Sequence, residues 1–254
     1  MCRCASLRLS VTAEPTANLD TALAHATRLL ATDPALAGEQ ASEIIKAVGE
    51  HPPAVLLLGA SHRLRGDFGA ALEILRPLAA MQANWAAAQL ELGLSWRRAC
   101  GRPVVLAAST REGEEAPLLA AWKQQPVPRP LLLMVPRHPQ RFDEVAALIG
   151  DSGLTCSRRS CWTDAPPAQA GAADVWLGDS IGEMAVYFSC AQVALLGGSF
   201  EPLGGQNLIE AAACGCPVLR GPHTFNFAEA AELAQREGAA QRVADIDEAV
   251  RIAV

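Results

Sequence analysis

Two hydrophobic rhythms divide the chain near residues 99–103. Before that point apolar residues recur at helical spacing in an Ala/Leu-rich background, with almost no strand-like alternation. After it, short Leu- and Val-rich runs alternate with helical stretches, the pattern of βα units that build a parallel sheet. The runs predict strands over residues 103–108, 131–135, 175–177, 193–196 and 217–219. Helices are expected over 113–123, 142–151, 181–190, 208–214 and 228–237, with a polar loop over 160–173 and a glycine-rich one over 197–205. The fold class is α/β, a doubly wound parallel sheet, preceded by an all-α segment. In such sheets ligands sit beyond the carboxyl ends of the strands. The expected organisation is a flexible N-terminus over 1–17, helical repeats over 18–100 and the α/β domain over 101–254.

The helical part carries an internal period. Leu58-Gly59 and Leu92-Gly93 stand 34 residues apart, each preceded by a turn containing Pro or Asn. Gly66-Asp67 breaks the segment between helices, and Ala71 and Leu75 fall where a second helix wants a small and a bulky packing residue. The period resembles tetratricopeptide repeats. Residues 18–49 fit a degenerate earlier unit, and 85–98 a first helix without its partner. Each repeat hides its apolar face against the next, so this last helix is expected to dock on the domain that follows.

Composition narrows the function. Half of the 254 residues are hydrophobic, enough for a sizeable core, and no apolar run is long enough to cross a bilayer. The net charge of −6 gives no general attraction to nucleic acid, so phosphate recognition must be local and the ligand small. Eight cysteines show no C-x-x-C pair and no zinc spacing, which implies free, mostly buried thiols in a reducing cytosol. The first fifteen residues lack the apolar run of a signal peptide, so a cytoplasmic location is expected.

Three strand-to-helix loops are equipped for an anion and a set of hydroxyls. The first, PRHPQRF, brings Pro136 and Arg137 to the end of a strand, where a planar guanidinium can grip phosphate. The second, GDSIGE, places Ser180 and Glu183 at capping-box spacing; it reads as a plain helix start or as backbone N–H groups turned to an anion. The third, GGSFEPLGGQNLIE, has four glycines that let the backbone approach a ligand, with Asn207 and Glu210 again at capping spacing. Glu210 suits ribose hydroxyls.

These loops, followed by GPHTFNF and preceded by GRPVVLAASTREGEE, stand in an order that resembles the donor domain of the 3-deoxy-D-manno-octulosonic acid (Kdo) transferases. The resemblance covers residues 101 to about 245. It implies the C-terminal, Rossmann-like domain of a GT-B glycosyltransferase that moves Kdo from CMP-Kdo to a lipid A precursor in lipopolysaccharide biosynthesis, with no cofactor and no metal. Carried over by motif, CMP or the donor is held by Pro136 and Arg137, by Ile181, Gly182 and Glu183, and by Asn207, Leu208, Ile209 and Glu210. Ser109 and Thr110 are secondary candidates. Gln206 and Leu208 stand where the family has His and Pro. The family's acceptor domain, with its carboxylate base and membrane anchor, has helical repeats in its position here, so the base has no nominee. The expectation is CMP-sugar binding by a cytoplasmic protein that works peripherally at the inner membrane. An alternative is a non-catalytic interaction protein that recruits a partner through its repeats and keeps a vestigial nucleotide-binding domain.

Overall fold

The computed structural model describes residues 15–162 and 166–254. The expected flexible N-terminus lies outside them, except that the first helix already begins at Pro15. Cys2 and Cys4 lie outside as well.

Five helices come first: α1 (Pro15–Leu29), α2 (Pro34–Val48), α3 (Pro52–Leu64), α4 (Phe68–Met81) and α5 (Ala86–Cys100). Their starts follow from the sequence. Asp33 caps α2 by accepting from the Leu36 N–H at 3.1 Å, and Asp67 caps α4 by accepting from the Ala70 N–H at 3.2 Å. Proline occupies the first turn of α2 and α3, where its missing N–H costs nothing. Gly101 ends α5 in the left-handed region at φ 72°.

The α/β part then runs β1 (Val104–Thr110), α6 (Glu115–Lys123), β2 (Leu131–Pro136), α7 (Phe142–Asp151), β3 (Cys156–Arg158), β4 (Val175–Leu177), α8 (Met184–Cys190), β5 (Val193–Leu196), α9 (Ile209–Ala213), β6 (Val218–Arg220), α10 (Ala228–Arg236), β7 (Ala240–Arg242) and α11 (Ile246–Ala253). The seven strands form one parallel sheet in the order β3-β4-β2-β1-β5-β6-β7. The chain grows outward from β1 in one direction and returns to β5 on its other side, so the topological switch lies between β1 and β5.

Both faces of the sheet are buried, as parallel strands require. Val104, Leu106, Ala108, Leu131, Leu133 and Val135 face one core, and Val105, Ala107, Leu132 and Met134 the other. The second core is covered by α6, α7 and α11. The first is shared with the helical segment, since Leu72, Leu75, Leu92 and Trp96 belong to it.

The unpartnered last helix docks as expected. A Cβ at Gly59 of α3 would sit 2.5 Å from Leu75 of α4, and one at Gly93 of α5 would sit 2.5 Å from the Ser189 Cβ and the Val186 carbonyl of α8. At Gly93 the space is taken by the backbone of α8, and at Gly59 by the Leu75 side chain. The two glycines are one period apart, so α8 takes against α5 the place that α4 takes against α3.

The helix expected from Ile181 begins only at Met184, because Gly182 adopts φ 84°. The expected 160–173 loop contains two short 3₁₀ turns, 159–161 and 168–172. Strands β3 and β7 and helix α11 were not anticipated by the hydrophobic pattern. Among the described cysteines only Cys190 and Cys216 are buried, while Cys156 and Cys161 are exposed, so burial is less general than composition implied. No helix among the described residues is long and apolar enough to cross a membrane.

Candidate functional site

Five adjacent strands, β4, β2, β1, β5 and β6, end at one edge of the sheet and release the loops singled out by sequence. Neighbouring strands lie about 4.8 Å apart, so the span from β4 to β6 is about 19 Å. The loops stand side by side along it in the order 178–183, 137–141, 109–114, 197–205 and 221–226.

At the centre, β1 and β2 pair Thr110 with Pro136, and the Arg137 N–H donates to the Thr110 carbonyl at 3.0 Å. The next residues along, Arg111 and Arg137, therefore leave the sheet from neighbouring strand ends. Neither guanidinium has an ion-pair or hydrogen-bond partner among the described residues. In a protein of net charge −6, two guanidiniums unpaired among the described residues, Arg111 at the switch and Arg137 on the neighbouring strand end, concentrate positive charge at this edge. Arg137 was legible from its loop. Arg111 was missed, although the same signal, an arginine directly after a strand, marks it.

Backbone strain concentrates here as well. Ser109 sits at φ 56° where the β1 register slips, an unfavourable conformation for a non-glycine residue. A Cβ at Gly197 would lie 2.2 Å from the Ser109 carbonyl, so only glycine lets the β5 loop pass so close. Of the two secondary candidates, Ser109 is half-buried, whereas Thr110 is 3% exposed and lies beneath the surface with its hydroxyl unpartnered.

Glu114 ties these loops together. Its carboxylate, 2% exposed, accepts from the backbone N–H groups of Arg111 at 2.9 Å, Gly198 at 2.8 Å and Phe200 at 3.1 Å. Burial pushes its carboxyl above the usual range, against the pull of those amides. Three backbone donors on one carboxylate fix the glycine-rich loop relative to β1. Glu114 belongs to the GRPVVLAASTREGEE motif, but no spacing rule separates it from Glu112 and Glu115. The next loop is joined on by Ser199, whose hydroxyl accepts from the Gly221 N–H at 2.8 Å and whose carbonyl accepts from the His223 N–H at 3.0 Å.

The 178–183 loop differs from expectation. Ser180 and Glu183 do not form a reciprocal capping box. The Ser180 hydroxyl bonds both the Glu183 carboxylate and the Tyr187 hydroxyl, and Tyr187 also donates to Glu183 at 3.1 Å. The other Glu183 oxygen accepts from Arg159 at 2.7 Å. Glu183 thus faces inward, and the loop turns Ile181, 81% exposed, and Gly182 outward. Burial beside the Glu183 charge raises the Tyr187 hydroxyl far above its ordinary value.

In the third loop Asn207 is exposed and accepts from the Ile209 N–H at 3.0 Å, an Asx turn rather than a capping box with Glu210. Leu208 is buried and offers only its backbone, while Ile209 and Glu210 are exposed. Leu208 fills core space, and the Gln206 amide lies 3.2 Å from where a Gly198 Cβ would be.

No family model matches the chain. It is 52% identical over 163 residues to a 3-deoxy-D-manno-octulosonic acid transferase of Bordetella pertussis, covering 62% of this chain and 37% of the relative. A transferase of the same name from Haemophilus influenzae is 41% identical over 130 residues, covering 50% of this chain and 30% of that one. The chain spans about a third of the length of these curated relatives. Among solved structures, it superposes on the C-terminal CMP-Kdo-binding domain of WaaA from Acinetobacter baumannii with a TM-score of 0.58 and 30% identity, covering 65% of this chain and 86% of that one. These matches favour the transferase reading over the interaction-protein one. The chain belongs to the 3-deoxy-D-manno-octulosonic acid transferase family, whose C-terminal domain is its α/β part.

Proposed function

We propose that the chain binds CMP-Kdo at the carboxyl edge of its sheet and serves as the donor half of a Kdo transferase acting on a lipid A precursor. The observation that carries this reading is the pair of guanidiniums, Arg111 and Arg137, without a partner among the described residues and beside a glycine-rich loop held by Glu114. A CMP-sugar presents one phosphate charge, which two arginines and nearby backbone N–H groups can meet without a metal.

In transfer, the bond between the anomeric carbon and the CMP phosphate oxygen breaks, and an acceptor hydroxyl oxygen takes that carbon. The electron pair leaves with CMP, so negative charge grows on the phosphate where the arginines stand, and stabilisation there lowers the barrier. The hydroxyl proton passes to a general base, a role for which no residue of this chain is nominated. Ile181, Gly182, Asn207, Ile209 and Glu210 are proposed to frame the nucleoside along the same edge, Leu208 through its backbone, Glu183 by shaping its loop and Pro136 by stiffening the start of the Arg137 loop. The reading includes peripheral work at the inner membrane.

Calorimetry with CMP tests it. The native protein is expected to bind and Arg137→Ala to bind more weakly; absence of binding by the native protein refutes the reading. Release of Kdo from CMP-Kdo with a lipid A precursor as acceptor then measures transfer.

A further inference from the structure

Arg159 lies at the start of the 3₁₀ turn after β3, only 8% exposed, and no loop motif points to it. Its guanidinium stands 5.2 Å from the ring centre of Trp96 and 5.7 Å from that of Trp162, and these two rings meet edge to face at 5.6 Å. Between them it reaches one oxygen of Glu183 at 2.7 Å. The other oxygen is taken by Ser180 and Tyr187, and the Tyr187 ring in turn leans on Trp96 at 6.2 Å. Trp162 and Arg159 belong to the α/β part, but Trp96 comes from α5, the last helix of the preceding segment. Every group that fixes the Glu183 carboxylate is therefore backed, directly or one step removed, by a side chain of the helical segment.

The same junction encloses a cavity of about 370 Å³, with Ala79, Ala83, Gln89 and Leu92 on the helical side and Ser180 to Glu183 on the other. Gln89 is held rigid by donating to the Ala79 carbonyl at 3.0 Å.

We propose that Arg159 is a positioning residue for the 180–183 loop, clamped by Trp96, so that the helical segment sets the geometry of the donor-binding edge. A guanidinium lying against two aromatic rings is restricted in how it can turn, so the one N–H it directs at Glu183 holds that carboxylate oxygen in place. With Glu183 anchored, Ile181 and Gly182 present their backbone outward in one conformation and lose little freedom on binding.

The inference rests on the donor-binding reading for its ligand, and its test carries a second, ligand-free readout. In the full chain, Arg159→Ala and Trp96→Ala are compared with Arg159→Lys, Trp96→Phe and Ile44→Ala. Ile44 is buried in α2, which packs on α1 and α3, so its variant reports lost stability alone. Arg159→Ala is expected to weaken CMP binding roughly tenfold, as loss of a charge-assisted bond would, with Trp96→Phe near native and Ile44→Ala unchanged. Arg159→Ala should cost nothing further in a Glu183→Gln background, because it acts through that carboxylate. Without ligand, amide exchange at Tyr187, whose N–H bonds the Glu183 carbonyl at 3.0 Å, and along the start of α8 should quicken in Arg159→Ala and Trp96→Ala and stay native in Trp96→Phe and Ile44→Ala. If the Ala variants fail to fold, Arg159→Lys carries the test, since it keeps the charge and loses the planar guanidinium that lies against Trp96 and Trp162. Failure of the native protein to bind CMP would strike the donor-binding reading, and the exchange pattern would still decide this one. Native exchange in Arg159→Ala and Arg159→Lys overturns it, and so does equal weakening by Ile44→Ala.

Discussion

Arg137 and Arg111 leave neighbouring strand ends with no ion-pair partner among the described residues, so an arriving phosphate displaces none of the ion pairs seen there. A charge-assisted hydrogen bond is worth about 1.5–3 kcal/mol, which makes Arg137→Ala about ten- to a hundredfold weaker for CMP by calorimetry. Arg137→Lys should fall between, keeping charge but losing the fork. Glu114 gives a different signature, because it holds backbone and not ligand. In Glu114→Gln the amide must set its own N–H against a loop donor, at a cost of roughly 1–3 kcal/mol in urea unfolding at neutral pH. Asp179 supplies the pH dependence. Its burial opposes ionisation, but the Ser160 hydroxyl and amide and the Arg158 guanidinium outweigh it and hold the carboxyl below its ordinary value of 3.8. As pH falls, the unfolded chain takes up this proton before the native one, so the contribution is whole above the unfolded value and is lost as pH falls on through the lower native value. The stability gap between the native protein and Asp179→Asn should therefore narrow between pH 5 and pH 3. At this scale the sequence disclosed residues whose role is marked by position, such as Arg137 after a strand. It hid Glu114, Arg159 and Asp179, because a buried charge is identified by partners distant in the chain.

Elements were legible in proportion to their length and burial. Strands β1 and β2 are covered on both faces and read as unbroken apolar runs; β3, Cys156–Arg158, is short, polar and at the sheet edge, and leaves no such trace. Asp33 and Asp67 bond the first amides of α2 and α4, a role the sequence reading did not single out. The capping spacing noted at Ser180/Glu183 and Asn207/Glu210 serves loop geometry before α8 and α9. The docking of α5 was readable from its missing partner, although the sequence did not say which helix would replace it. That contact depends on Gly93. A methyl group there meets the Val186 carbonyl and the Ser189 side chain at 2.5 Å, and backbone cannot move aside as a flexible side chain can. Gly93→Ala should cost about 1–3 kcal/mol by forcing α5 from α8. Gly69→Ala, where nothing lies within 4 Å, should be neutral or mildly stabilising. Thermal melts of the two variants separate close approach from helix propensity.

For the whole molecule, the position of the core decides how the chain unfolds. Leu75 and Trp96 of the helical segment share one apolar cluster with Leu106, Leu133 and Trp176 of the sheet. Ala26, Ala41 and Leu57 form a smaller, separate cluster at the far end of the helices. The cooperative boundary should therefore lie inside the helical segment and not at residue 101, where composition changes. Leu75→Ala removes a fully buried side chain and should cost about 2–5 kcal/mol. Because the cluster is continuous, that loss should appear equally in the protection of amides in α4, α5, β1 and β2. Leu57→Ala should instead loosen α1 to α3 by local opening and leave protection in β1 and β2 native. Native-state hydrogen exchange across a denaturant series reads both variants residue by residue. If the helices lost protection in Leu75→Ala while β1 and β2 kept theirs, the segment would be an independent unit resting on the sheet, and its hold on the donor edge would have to be far weaker than the shared core implies.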